Sequence, residues 1–416
     1  MEKKLFPELA GKPVAVCGDK EARHGVVLAK SEEAKAFGVK TGDVIWEAQR
    51  KCPDLIIRPV RFSEYVKQSR AVRGIYARYT DLIEPFGIDE CWLDVTHSTI
   101  FGNGEEIAER IRREVKEELS LTVSVGVSFN KVFAKLASDL KKPDAVTVVS
   151  RENYREKLYP LPASNLLYVG KATAERLRRM GISTIGELAA ADPKMLANLL
   201  GKWGAMLSRY ARGEDNAPVR NMNDKQPLKS VGNSMTYFED IYRTEDVKRL
   251  LYVLAESVAA RMKDAHLGKA DTVHLWVRDK ELQSYSWQKK VRPTALVGEI
   301  AEHAFSLFKE RYKARRAVRG LGVTVSGFDL GVEQLSFDSF GGDYEKKARA
   351  EEAVGKIREK YGYSTVQRGI MFEDRAALKM DVRGERLVRP GGVDGDIADP
   401  FEEEIREIPP QDGEEQ

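Results

Sequence analysis

Between residues 230 and 326 the hydrophobic period switches repeatedly from two to 3.6 and back, and that succession narrows the possible folds. Residues 230–237 alternate as a strand does. Val247, Leu250, Leu251, Leu254 and Val258 then recur at helical spacing behind Thr244, a predicted N-cap. Residues 272–277 and 284–290 read as a strand pair, 296–308 as a second helix and 318–326 as a last strand. A βαββαβ order can close on itself as one small domain.

The upstream half is also α+β. Leu121, Val123, Val125 and Val127 share one face of a predicted strand over 121–127. Phe129, Val132, Phe133, Leu136 and Leu140 follow at helical spacing, with Ser128 as the predicted cap. Pro143 stops that helix, and 145–149 reads as another strand. Before them, 89–95 is strand-like and 105–119 a charged helix. Residues 160–215 read as short helices broken by Gly170, Gly181, Gly186 and Gly201, and 216–227 as a linker. Residues 343–360 form a charged helix.

Charge points to a polyanion. The net charge of +3 conceals ten acids and one base in residues 391–416. The remainder carries 67 basic against 55 acidic residues, a net +12. A basic body favours nucleic acid, although a solvated lysine-rich surface looks similar. The acidic end reads as a disordered tail. No apolar run approaches the roughly 20 residues of a membrane span. Cys17, Cys52 and Cys91 are too dispersed for a disulfide framework or a zinc site.

The chemistry-bearing motif is Gly87-Ile88-Asp89-Glu90-Cys91-Trp92-Leu93-Asp94. On a regular strand adjacent carboxylates point to opposite faces, but at a hairpin tip both can turn to one site. Paired oxygen ligands suit Mg²⁺, and two such ions can hold the attacking and leaving oxygens of a phosphoryl transfer. Alone, an Asp-Glu pair is more often a solvated turn.

The surroundings change that weighting. Residues 84–94, EPFGIDECWLD, with SVGVSFNKVFAKLASDLKKP at 124–143 and EAKAFGVKTG at 33–42, resemble the Y family of DNA polymerases, near its DNA polymerase IV group. The resemblance continues to about residue 369. It implies an α+β multidomain, right-hand polymerase. Its palm would be 1–10 and 77–160, its fingers 11–76, its helical thumb 161–225 and its βαββαβ little finger 228–330. A clamp-peptide-like segment and helix at 331–370 and the acidic tail at 371–416 would follow.

By this resemblance Asp89 and Glu90 are catalytic, metal-holding carboxylates for two Mg²⁺ ions. Lys35 and Lys142 meet the incoming nucleotide. LLYVGKATAERLRRMG at 166–181 is similar to a helix-hairpin-helix, with Gly170 and Lys171 at the DNA backbone and Tyr168 where the common pattern has its first glycine. Lys289, Lys290 and Arg292 are expected to follow duplex phosphates. Gln334, Leu335 and Phe337 resemble a sliding-clamp peptide. Implied partners are primer-template DNA, deoxynucleoside triphosphates and the clamp, for a monomeric cytoplasmic, nucleoid-associated enzyme of translesion synthesis.

Two departures stand out. The family's first palm strand, with a metal-binding Asp and two aromatics, has no counterpart before Gly11, so the palm sheet is expected to lack its first strand. A start placed at an internal methionine is the favoured explanation. A truncated remnant, or a non-catalytic DNA- and clamp-binding protein, is the alternative. Glu32 also stands where the family commonly has Tyr, and a carboxylate facing a triphosphate is electrostatically wrong unless it turns away.

Overall fold

The computed structural model describes residues 1–18, 25–224, 227–314, 316–328, 343–362 and 365–371. They divide into two compact units, one built from Met1–Ala10 with Phe62–Lys225, the other from Gly11–Arg61 with the described residues after Gln226. No helix among the described residues is long and apolar enough to cross a membrane.

In 11–61, β1 (Val14–Cys17) pairs antiparallel with β2 (Val27–Lys30) and parallel with β3 (Ile56–Pro59). Two short helices, α1 (Glu32–Ala36) and α2 (Ile45–Lys51), supply Ala34, Ile45 and Ala48 to a core with Ala15, Cys17, Val27 and Leu55. Ser31 caps α1 by accepting from the Ala34 N–H. Burial pushes the Cys17 thiol up to about 11, and all three cysteines are free.

The first unit begins its main body with α3 (Phe62–Tyr76). The hairpin β4 (Ile83–Pro85) and β5 (Cys91–Leu93) follows, then α4 (Gly104–Leu119). Next come β6 (Val125–Ser128), α5 (Lys131–Leu140) and β7 (Val146–Val149). Helices α3 and α4 share a core of Ile75, Tyr79, Ile107, Ile111 and Val115. Helix α3, which the sequence division at residue 76 groups with 11–61, packs against α4.

Several local expectations shift. Of the alternating run 121–127 only 125–127 pairs as a strand, extended by Ser128, because β7 offers a partner only there; Leu121 and Val123 pack on the α3–α4 core without pairing. Likewise only Cys91–Leu93 of 89–95 pairs, since β4 is three residues long. Asn130, not Ser128, caps α5, accepting from the Phe133 N–H at 2.8 Å. The Ser128 hydroxyl instead donates to the Val149 carbonyl. The β4–β5 and β6–β7 pairs are separate sheets, and among the described residues no strand joins them. Gly126 lets β6 lie directly on α5: a Cβ there would sit 2.0 Å from the Ala134 carbonyl oxygen.

A short helical segment, Tyr154–Leu158, leads into four further helices of this unit: α6 (Lys171–Arg179), α7 (Ile185–Ala190), α8 (Pro193–Leu200) and α9 (Lys202–Ala211). Their buried Leu177, Ile185, Leu188, Leu196 and Leu207 join Phe133 and Leu136 of α5 in one continuous core. Gly186 does not break a helix; it lies inside α7, close against Tyr159.

The βαββαβ order is realised as β8 (Ser230–Ile241), α10 (Thr244–Asp264), β9 (Ala270–Asp279), β10 (Ser284–Thr294), α11 (Val297–Arg311) and β11 (Val318–Phe328). The antiparallel sheet runs β10-β9-β11-β8. Val273, Leu275, Val277, Leu321, Val323 and Val325 project from one sheet face into a core with α10 and α11. Thr244 opens α10 as its first residue; Arg243 is the N-cap and makes no side-chain capping bond.

The charged helix α12 (Asp343–Tyr361) is part of the same unit. Arg358 donates to both oxygens of the buried Glu256 at 3.2 and 3.3 Å, and Arg368 to one of them at 2.9 Å. This network ties α12 and the turn Gly369–Met371 to α10.

Candidate functional site

The β4–β5 hairpin sets the geometry of the two candidate carboxylates. Register pairs Ile83 with Leu93, Glu84 with Trp92 and Pro85 with Cys91, and the Phe86 N–H closes the loop on the Glu90 carbonyl at 2.9 Å. Asp89 and Glu90 therefore stand in a hairpin loop, not on a pleated strand, and the strand rule that sends neighbours to opposite faces does not apply. Asp89 is exposed and Glu90 half-buried. From α3, the Ser69 hydroxyl donates to the Ile88 carbonyl and fixes the loop from behind.

The hairpin base is anchored on α5. Trp92 Nε1 donates to the Lys131 carbonyl at 3.0 Å, and the Lys131 ammonium meets the buried Glu84 carboxylate. Glu84 also accepts the Arg220 backbone N–H at 3.0 Å, which brings the linker onto the hairpin. Burial raises the Glu84 carboxyl, but Lys131 and the Arg220 N–H outweigh it and hold it below its ordinary value.

A row of alternating charges leads from the loop along α5. Glu90 lies 3.2 Å from Lys135; Lys135 meets Asp139 at 2.8 Å; Asp139 meets Lys142 at 2.7 Å. Burial lowers the Lys135 ammonium, but the bond to Asp139 and the charge of Glu90 more than offset it and leave it raised. Asp139 is raised by burial and pulled below its ordinary value by Lys135 and Lys142. The carboxylate loop and the expected nucleotide-contacting Lys142 are thus linked within one unit through Lys135, which sequence reasoning had not singled out.

Asp89 and Glu90 are anionic oxygen donors with open solvent beside Asp89, a donor set suited to a hard divalent cation. Among the described residues no group of three or more His, Cys, Asp or Glu side chains converges on one point. In the other unit, Lys35 pairs with Glu32 at 3.0 Å, both side chains exposed. The carboxylate that looked misplaced in sequence is therefore ion-paired with a neighbouring lysine on the surface.

Comparison with known proteins decides the family. Residues 1–139 match the impB/mucB/samB family and residues 228–337 its C-terminal domain. DNA polymerase IV of Acetivibrio thermocellus is 46% identical over 373 residues, covering 89% of this chain and 93% of the relative. The chain belongs to the impB/mucB/samB family of Y-family DNA polymerases. DNA polymerase IV 1 of Bacillus subtilis is 37% identical over 369 residues, covering 87% of this chain and 88% of the relative. A Y-family DNA polymerase chimera superposes with TM-score 0.71 at 27% identity, covering 79% of this chain and 95% of its own. The insertion ternary complex of Dbh DNA polymerase gives 0.55 at 26%, with the same coverages.

On this Y-family chain the remaining candidates fall in two places. Gly170 is the N-cap of α6 and Lys171 its first residue; no side chain caps that end, so its first N–H groups are open to an anionic ligand. Tyr168, at the position of the pattern's first glycine, has φ +70°. A non-glycine residue in that region costs about 1–3 kcal/mol.

The basic cluster of the little finger is split by the strand pleat. Lys289 of β10 reaches the helical layer, donating to Ser306 Oγ of α11 at 3.0 Å. Lys290 and Arg292 stand on the opposite, helix-free face, where Lys290 pairs with Asp271 at 2.8 Å. Neighbours on a strand alternate faces, so Lys289 is set apart from Lys290 and Arg292. Gln334, Leu335 and Phe337, and the acidic tail, lie outside the described residues.

Proposed function

We propose that this Y-family chain extends a DNA primer by template-directed nucleotidyl transfer, past damaged template positions included. The observation that carries the reading is the hairpin loop presenting Asp89 and Glu90 at the head of the Lys135–Asp139–Lys142 row. In the reaction the primer 3′-hydroxyl loses its proton and bonds to the α-phosphorus of a deoxynucleoside triphosphate, while the bond to pyrophosphate breaks. Asp89 and Glu90 would hold Mg²⁺, which supplies charge neutralisation for the developing and leaving oxygens. Lys142 would meet phosphate oxygens of the incoming nucleotide as a point charge, and Lys35 is read, on the resemblance alone, as a second nucleotide contact. Gly170, Lys171, Lys290 and Arg292 would bear on the duplex backbone without reading sequence.

The same reading takes the protein as a monomer at the nucleoid that docks on a sliding clamp through Gln334, Leu335 and Phe337. Primer extension with Mg²⁺ and four deoxynucleotides tests the enzymatic core. Asp89→Ala and Glu90→Ala are each expected to abolish extension while primer-template binding persists. Extension retained by either variant removes that residue from the site. Binding without any extension by the unsubstituted chain supports the non-catalytic alternative.

A further inference from the structure

Helices α6, α8 and α9 frame an aromatic cleft outside the carboxylate loop and its charge row. It is lined by Tyr168, Thr173, Arg176, Leu200, Trp203 and Leu207. Tyr168 and Trp203 are 48% and 51% exposed, unusual for large aromatics that could have joined the adjoining core. Their ring centroids are 5.9 Å apart, and Tyr210, two turns along α9 from Trp203, lies 6.1 Å from Tyr168. The rings form a cluster with solvent-facing surface, not a pair turned inward.

The backbone is committed to this placement. Tyr168 sits at φ +70°, where glycine would be relaxed, so the side chain is retained against a local conformational preference. Trp203 is the second residue of α9, and Gly204 beside it lets α9 touch α8: a Cβ there would lie 2.0 Å from the Leu196 carbonyl oxygen. That contact fixes where the indole emerges. The two helices flanking the cleft, α6 and α9, carry Lys171, Arg176, Arg178, Arg179, Lys202 and Arg209 against the single acid Glu175. Arg178 and Arg179 are engaged by Glu175, whereas Arg176 lines the cleft itself.

Exposed aromatic faces inside a basic rim match a polyanion that also bears flat apolar groups. We propose that the Tyr168–Trp203 cleft stacks an unpaired nucleobase of single-stranded DNA, with Arg176 and the open N-terminal turn of α6 meeting the adjoining phosphates. Stacking of this kind is sequence-tolerant, since every base has a π-face. The cleft would then hold a strand end or a looped-out base, adding a base-dependent contact to a thumb otherwise expected to touch backbone only. The inference rests on the nucleic-acid reading above but needs no nucleotidyl transfer.

The test uses the full chain and two labelled single strands of about 12 nucleotides, one with mixed bases and one fully abasic, equal in charge. Fluorescence anisotropy gives both Kd values, with duplex primer-template binding measured in parallel. The base-bearing strand is expected to bind about 10-fold tighter than the abasic one. Tyr168→Gly and Trp203→Ala should each bring that ratio close to one. Tyr168→Gly relieves the backbone, so its melting temperature should hold or rise, which separates lost stacking from lost folding. An undiminished ratio in both variants, or equal binding of the two strands by the unsubstituted chain, overturns the proposal. Failure of duplex binding sinks the polymerase reading instead, and the single-strand ratio still decides this one.

Discussion

The Glu90 carboxylate lies 3.2 Å from the Lys135 ammonium, and that ammonium simultaneously meets Asp139 at 2.8 Å. Lys135 therefore stands beside Glu90 as a resident cation, competing for the oxygens that a divalent ion would use. Lys135→Met is expected to lower the Mg²⁺ concentration for half-maximal primer extension by about 3- to 10-fold, a modest factor because Glu90 is partly solvated. A Mg²⁺ titration at saturating nucleotide checks it. An unchanged midpoint would mean that Lys135 yields its place at no cost.

The exposed Glu32–Lys35 pair leads to a different expectation. Glu32→Gln frees the Lys35 charge for a triphosphate and should lower KM for nucleotide about 2- to 5-fold with kcat little altered. Lys35→Ala should raise KM. Steady-state single-nucleotide incorporation separates the two, and matching shifts of the same sign would show that the pair does not face the nucleotide.

The pleat of β10 predicts unequal roles for adjacent lysines. Lys290→Ala and Arg292→Ala should each reduce the slope of log Kd against log salt for duplex DNA by about 0.9. Lys289→Ala should leave that slope unchanged, since its ammonium lies on the helix-covered face, against Ser306. The same substitution has a second signature at His303 of α11. That imidazole is lowered first by burial and then by the Lys289 charge, so Lys289→Ala should raise its pKa, as read by NMR titration.

Glu84 ties the catalytic hairpin to α5 and to the linker. Removing it leaves Lys131 half-enclosed without its partner, and Glu84→Ala should destabilise this unit by about 3 kcal/mol at neutral pH. Because the folded-state carboxyl lies below the ordinary 4.5, its contribution is fully present above that value and is lost as pH falls through the folded-state pKa. The melting-temperature gap between wild type and variant should thus be widest near neutral pH and shrink as the pH falls below 4.5. A gap that widens on acidification would contradict the pairing.

Much was legible from sequence because it depends on local chemistry. The βαββαβ order follows from hydrophobic period, which each segment carries alone; β8 to β11, α10 and α11 lie where 230–326 indicated. The ordered motifs around Asp89-Glu90 and 124–143 carried the family resemblance for the same reason. The errors fell where a neighbour distant in sequence decides. The alternating run 121–127 forms a strand only where β7 pairs with it. Ser128 and Asn130 are equally good caps on paper, but Ser128 is drawn off by the Val149 carbonyl.

The candidate site divides in the same way. The resemblance carried by the ordered motifs nominated Asp89, Glu90, Lys35 and Lys142. Only the tertiary structure showed the Lys135–Asp139 link between Glu90 and Lys142, the turning of Lys289 away from Lys290, and the meeting of Tyr168 with Trp203 across 35 residues of chain. Periodicity states which face a side chain occupies relative to its own element. Which charge or ring it then meets is set by how elements far apart in sequence pack, and that information is held by no single segment.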